Sequence, residues 1–156
     1  MSATKSQTKQ IILIILGIIV VAGLGSLFVN LGMDWFGTLD RPTQWVPDIV
    51  IPIMWTIIYI IFGVILSRWV IKSNVPTSVY VWLIINGVLN VLWCLVFFTL
   101  KQTLGGNIII VLNLIAGFML WIEINKREPV YSYIIAIYPI WLSLATTLNT
   151  ALWILN

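Results

Sequence analysis

Apolar residues along this chain come in five long runs: Ile11–Val29, Ile49–Ile71, Val79–Leu100, Asn107–Ile124 and Val130–Ile154. Each run is bounded by charge, proline or glycine, and each approaches or exceeds the roughly 20 residues a helix needs to cross a bilayer. A backbone placed in hydrocarbon has no water to bond. The helix, which satisfies its own N–H and C=O groups, is therefore the economical form for these segments. The pattern predicts an all-α fold, an integral membrane bundle of five transmembrane helices that makes a single domain of residues 1–156. Short connections make successive helices antiparallel. The connection that departs from the pattern is the first, Met33–Asp48. It holds Trp35, Phe36, Trp45, two prolines and three of the five acidic residues of the chain. A segment that combines large aromatics with prolines and acidic side chains is costly beside a bilayer unless it folds over something, so this one reads as a lid.

Composition agrees with the pattern. The chain has 156 residues, 61% hydrophobic and only 8% charged, against roughly a quarter charged in a soluble domain. Lys5, Lys9, Arg68, Lys72, Lys126 and Arg127 lie at the amino terminus and in the second and fourth connections. Arg41 and Lys101 lie in the first and third. Excess Lys and Arg marks the cytoplasmic side, so the amino terminus is expected in the cytoplasm, with the first loop and the carboxyl terminus outside. Short loops and this bias suit a bacterial cell membrane. The first span resembles a signal peptide in its basic start and in its small residues near Ala22–Ser26, but its length favours a retained helix. The net charge of +3 comes from the membrane edges, and nothing in it suggests nucleic acid. One cysteine, Cys94, excludes an intramolecular disulfide. With no histidine and carboxylates confined to segment ends, neither a metal-ligand cluster nor a His-based nucleophile pair can be assembled.

Polar and aromatic positions inside the runs carry the functional signal. Asn86, Asn90, Trp93 and Phe97 are spaced 4, 3 and 4, which places them on one helical face. Tyr138, Trp141, Ala145 and Asn149 make a second stripe; Trp55, Tyr59 and Phe62 a third; Asn113, Gly117 and Trp121 a fourth. Asn, Ser, Thr and Gly often serve helix packing in membranes, and tryptophans near span ends often anchor at the interface. Trp69, Trp82 and Trp153 read as such belt residues. Trp55, Trp93 and Trp141 instead share stripes with other polar or aromatic groups. Together they suit a flat-walled apolar cavity opening toward the lid, with stacking faces and N–H donors for a large planar ligand.

Three blocks of the sequence resemble the tryptophan-rich sensory protein / translocator protein family, also known as the peripheral-type benzodiazepine receptor family. The first is Trp35-Phe36 with Leu39, Arg41-Pro42, Trp45, Pro47, Trp55 and Tyr59, similar to WY…L-x-K-P-x-W-x-P-P…W-x-x-x-Y. The second is Leu89-Asn90 with Trp93 and Phe97-Phe98, similar to L-N-x-x-W-x-x-x-F-F. The third is Tyr138 with Trp141, Ala145-Thr146, Leu148 and Asn149, similar to P-Y-x-x-W-x-x-x-A-T-x-L-N. The match runs from about Trp35 to Asn149. It departs at Gln44, where the family has tryptophan and Trp45 follows one place later. Val46 replaces the first of paired prolines, and Ile137 stands where a proline precedes Tyr138, with Pro139 two residues on.

The resemblance implies a five-helix bundle, commonly a homodimer, with a pocket beneath the first loop. It implies porphyrins (protoporphyrin IX or haem) and drug-like small molecules as ligands, and no required cofactor. By motif position it assigns pocket roles to Trp55, Asn90, Trp93, Trp141, Ala145 and Leu148, with Trp35 and Pro47 in the lid. The stripes add Tyr59, Phe97 and Tyr138. A sensory or regulatory binding protein in tetrapyrrole physiology is the leading reading. Light- and oxygen-dependent porphyrin degradation is an alternative, with Trp55 and Trp141 as candidate electron donors. Transport of porphyrin or lipid is another, although no internal repeat or intramembrane ionisable group supports it.

Overall fold

The computed structural model describes residues 4–43 and 45–156. Gln44, the position of the shifted tryptophan, lies outside the described residues. The elements are α1 (Lys5–Phe36), α2 (Val50–Lys72), α3 (Thr77–Cys94) continued by a π turn (Leu95–Thr99), α4 (Thr103–Arg127), α5 (Pro129–Ile135) and α6 (Ile137–Leu155). The described residues form no strand. Five helical segments are long and apolar enough to cross a membrane, the fifth being α5 and α6 in succession.

α1 begins at a capping box, in which the Gln7 backbone N–H donates to Thr4 Oγ1 and the Thr4 N–H donates to Gln7 Oε1. The Gln7 side-chain amide also donates to the carbonyls of Val70 and Ile71, at 3.0 and 3.3 Å. Those belong to the last turn of α2, where helical carbonyls lack partners. At 32 residues, α1 outlasts its expected span. It runs through Met33–Phe36, which the sequence placed in the lid, and ends at Gly37. No breaker intervenes, and Gly32, in the middle of that extension, lets α1 lie directly on the third span. A Cβ there would overlap the backbone of Phe98.

α1 packs against α2 and α3, α4 packs against α3 and α6, and α5 with α6 closes the ring on α2. The order around the bundle is therefore α1, α2, α5/α6, α4, α3. Leu, Ile and Val cover the outward faces, and the interior holds Ile58, Leu66, Phe97, Ile110, Leu120 and Leu142. Among these apolar side chains the Tyr138 hydroxyl donates to Asn86 Oδ1 at 2.9 Å and lies 3.5 Å from Asn113 Oδ1. The Asn86 amide donates to the carbonyls of Trp82 and Ala116. A polar group in hydrocarbon is stable only when bonded, so this cluster clips α3, α4 and α6 into one register.

Two features of the spans depart from the sequence reading. Trp69, expected at the interface, is 2% exposed and packs on Tyr131 with ring centroids 6.0 Å apart. The connection between α4 and α5 folds over the end of α2, and Lys72 Nζ meets the Glu128 carboxylate at 2.8 Å. The fifth span is interrupted at Ala136. Pro139 has no N–H to offer the carbonyl four residues earlier, so the helical ladder breaks beside Ile135. The break in the fifth span therefore lies about one turn ahead of Pro139.

Candidate ligand-binding site

The first connection is tied down by few groups. Arg41 donates both ways to the Asp48 carboxylate, at 2.7 and 2.9 Å, and its guanidinium lies 4.5 Å from the centre of the Phe36 ring. The Trp45 indole N–H donates to Asp48 Oδ1 at 2.9 Å. The Arg41 and Trp45 hydrogen bonds hold the Asp48 carboxyl below the usual carboxylate range. Farther along, Asn156 clasps the Asp40 backbone, accepting from its N–H and donating to its C=O, both at 3.0 Å. The lid is thus joined to the end of α6.

Beneath it lies a pocket of only 40 Å³, lined by Phe36, Trp45, Ile51, Trp55, Trp93, Phe97, Phe98, Trp141, Ala145, Leu148, Asn149 and Leu152. Seven of the residues singled out from the sequence meet here: Trp55, Trp93, Phe97, Trp141, Ala145, Leu148 and Asn149. The π turn completes the wall. Its wider spacing turns both Phe97 and Phe98 inward. Trp93 stacks on Phe97 at 6.0 Å and meets Phe98 edge-on at 5.6 Å.

The two central indoles differ. Trp93 Nε1 donates to Asn149 Oδ1 at 3.0 Å, across two spans. Trp141 Nε1 is buried with no partner among the described residues. A buried orphan donor is costly, and in a pocket it is a ready contact for an acceptor on a ligand.

Other sequence candidates sit elsewhere. Trp35 is on the last turn of α1, edge-on to Phe97 at 5.6 Å, and outside the pocket lining. Pro47 is exposed, and its carbonyl starts α2 by accepting from the Val50 N–H. Tyr59, Asn90 and Tyr138 face a second, larger cavity of 620 Å³ between α1, α2 and α3, which shares only Trp55 with the pocket under the lid. The ligand-sized space is therefore not where the sequence placed it. The aromatic pocket under the lid is closed, and the open volume lies toward the amino-terminal end of the bundle. Phe36, Trp45 and Phe98 were missed as lining residues although each stands in a quoted block. The α1 side of the large cavity left no signal, because α1 is apolar all round.

Comparison with known proteins agrees with this architecture. A tryptophan-rich protein TspO of Chlorobaculum tepidum is 30% identical, over 96% of this chain and 99% of its own length. A tryptophan-rich protein TspO of Archaeoglobus fulgidus is 26% identical, over 91% and 94%. Protein CrtK of Rhodobacter capsulatus is 23% identical, over 78% of each chain. The model of the TspO/MBR family matches residues 12–154, and this chain, an integral membrane bundle of five spans, belongs to that family.

Proposed function

We propose that the protein binds a planar tetrapyrrole, protoporphyrin IX or haem, in the aromatic pocket beneath the first connection, and that occupancy is sensed through that connection. The observation that carries this reading is the Trp141 indole N–H, which has no partner among the described residues, in a pocket walled by Trp55, Trp93 and Phe97. Flat aromatic faces and a free donor suit a macrocycle with acceptor side groups. Ligand sites usually measure about 300–1,000 Å³, so binding requires the closed lid to lift. The Arg41–Asp48 pair that holds it is open to solvent on the Asp48 side, and such pairs contribute at most about 1 kcal/mol. Opening also breaks the Trp45–Asp48 bond and the Asn156 clasp on Asp40, all at exposed positions, and a bound ligand changes the loop that faces away from the amino terminus. Drug-like aromatic compounds fit the same walls. The reading includes a homodimer, supported by family likeness, and a cytoplasmic amino terminus in a bacterial cell membrane, supported by the Lys and Arg bias.

The test is quenching of tryptophan emission by protoporphyrin IX. Saturable quenching is expected, and Ala145→Leu, which fills the pocket from α6, should weaken it about tenfold or more. A folded Ala145→Leu protein that binds as the parent does would overturn the assignment.

A further inference from the structure

The 620 Å³ cavity has a shape and a chemistry of its own. α1 and α3 run parallel and touch closely at the lid end, where Gly32 abuts Phe98 and a Cβ on Gly25 would come 3.5 Å from Cys94 Sγ. A Cβ on Gly87 of α3 would come 3.1 Å from Val21 Cγ2, while one on Gly17, a turn nearer the amino terminus, would meet nothing within 4 Å. The cavity fills this open space beside Gly17. Its α1 wall runs from Gln10 to Val21, roughly 16 Å at helical rise, close to the ~15 Å of one leaflet. Leu13 and Val20 on α1, with Ile84 and Val88 on α3, line it yet are largely exposed. Its mouth therefore opens sideways between these helices, into the bilayer.

The lining selects among bilayer molecules. No charged side chain is among the described lining residues, so a carboxylate or phosphate inside would be unpaired and costly. Trp55 and Tyr59, stacked at 5.9 Å, present flat faces at the inner end. The Asn90 side chain, 5% exposed, also faces that end, and neither it nor the Tyr59 hydroxyl bonds to another described side chain. Asn86 is different, because its amide is fully engaged with Tyr138, Trp82 and Ala116. The inner end thus offers neutral donors beside aromatic planes. The Tyr80 hydroxyl, without a partner among the described residues, lines the α3 wall farther toward the amino-terminal end. The mouth at Leu13, Val20, Ile84 and Val88 is apolar.

We propose that this cavity is a second binding site, which takes a neutral flat ring with carbonyl oxygens carried on an apolar chain (the chemistry of an isoprenoid quinone) sideways from the membrane. The ring lies against Trp55 and Tyr59 with a carbonyl accepting from Asn90, and the chain leaves between α1 and α3. A phospholipid acyl chain, the commonest bilayer occupant, would leave the Asn90 amide unsatisfied.

The experiment uses the full chain in lipid nanodiscs, with a decyl-substituted benzoquinone as probe and quenching of tryptophan emission as readout. Saturable quenching is expected. Gly17→Phe, which plugs the cavity, and Asn90→Leu, which removes the donor without breaking a bond to a described side chain, should each weaken it about tenfold or more. Gly23→Phe, on the same helix with equally open surroundings but outside the cavity, should leave it unchanged. Quenching that rises linearly with quinone and is the same in all four proteins would mean partitioning alone, and the proposal fails. It fails equally if decylbenzene, which has no carbonyl oxygen, relieves the quenching at concentrations like those at which the quinone produces it.

Discussion

Replacing each of the two central pocket tryptophans with phenylalanine separates structural from functional roles. Trp93 and Trp141 are similarly buried, at 7% and 4% exposure, so Trp→Phe removes comparable apolar contact at each, and that loss largely cancels between them. What differs is the indole N–H. At Trp93 the substitution deletes a bond to Asn149 Oδ1 and strands that acceptor in the interior. Side-chain hydrogen bonds inside membrane proteins contribute about 0.6 kcal/mol on average and up to about 1.7, and a stranded buried acceptor adds to the loss. At Trp141 no bond to a described residue is lost, and a donor with no described partner disappears. Trp93→Phe should therefore cost about 1–2 kcal/mol more than Trp141→Phe, close to tenfold in the unfolding equilibrium. Reversible unfolding in mixed micelles with increasing dodecyl sulfate measures this difference. The ligand response should run the other way, with Trp141→Phe keeping the fold while weakening protoporphyrin quenching. Equal stability losses, or a Trp141→Phe protein that is the less stable of the two and binds normally, would refute the reasoning.

Two further outcomes follow from the packing of α1 and the chemistry of the lid. Gly32→Ala should be strongly destabilising in the same unfolding assay, because its Cβ would meet backbone rather than a flexible side chain; Gly23→Ala, in open surroundings, should be neutral or gain up to about 1 kcal/mol of helix propensity. The Asp48 carboxyl is held low by Arg41 and Trp45, so its contribution is complete above the ordinary carboxyl value of about 3.9 and is lost as pH falls through the lowered folded value. Hydrogen exchange in the 45–50 segment, corrected for intrinsic rates, should therefore be flat from pH 7 to 5 and rise only in stronger acid, whereas Asp48→Asn should show the fast-exchanging lid already at pH 7.

Much of the lid pocket was legible because helical spacing is local. Trp93 and Phe97 are one turn apart, and so are Trp141 and Ala145, so each pair had to share a face. Other parts depended on non-local contacts. Trp69 was misplaced at the interface because nothing near it in sequence tells that α5 and Glu128 will cover the end of α2. Phe98 became a wall residue through a π turn that shifts the helical register after Cys94. Asn90 was assigned beneath the lid by its motif position, yet it lines the larger cavity between α1, α2 and α3.

By itself the sequence determined five membrane-crossing helices and the convergence of an aromatic cluster under the first connection, since hydrophobic length and helical period are properties of neighbouring residues. Tertiary structure alone decided the extension of α1 through Phe36, where Gly32 seats it on the Phe98 backbone. It also decided which indole has a partner, since that depends on Asn149 reaching Trp93 across 56 positions. The location of the open volume was decided in the same way. α1 is apolar on every side, so no pattern marks the face it turns to the bundle.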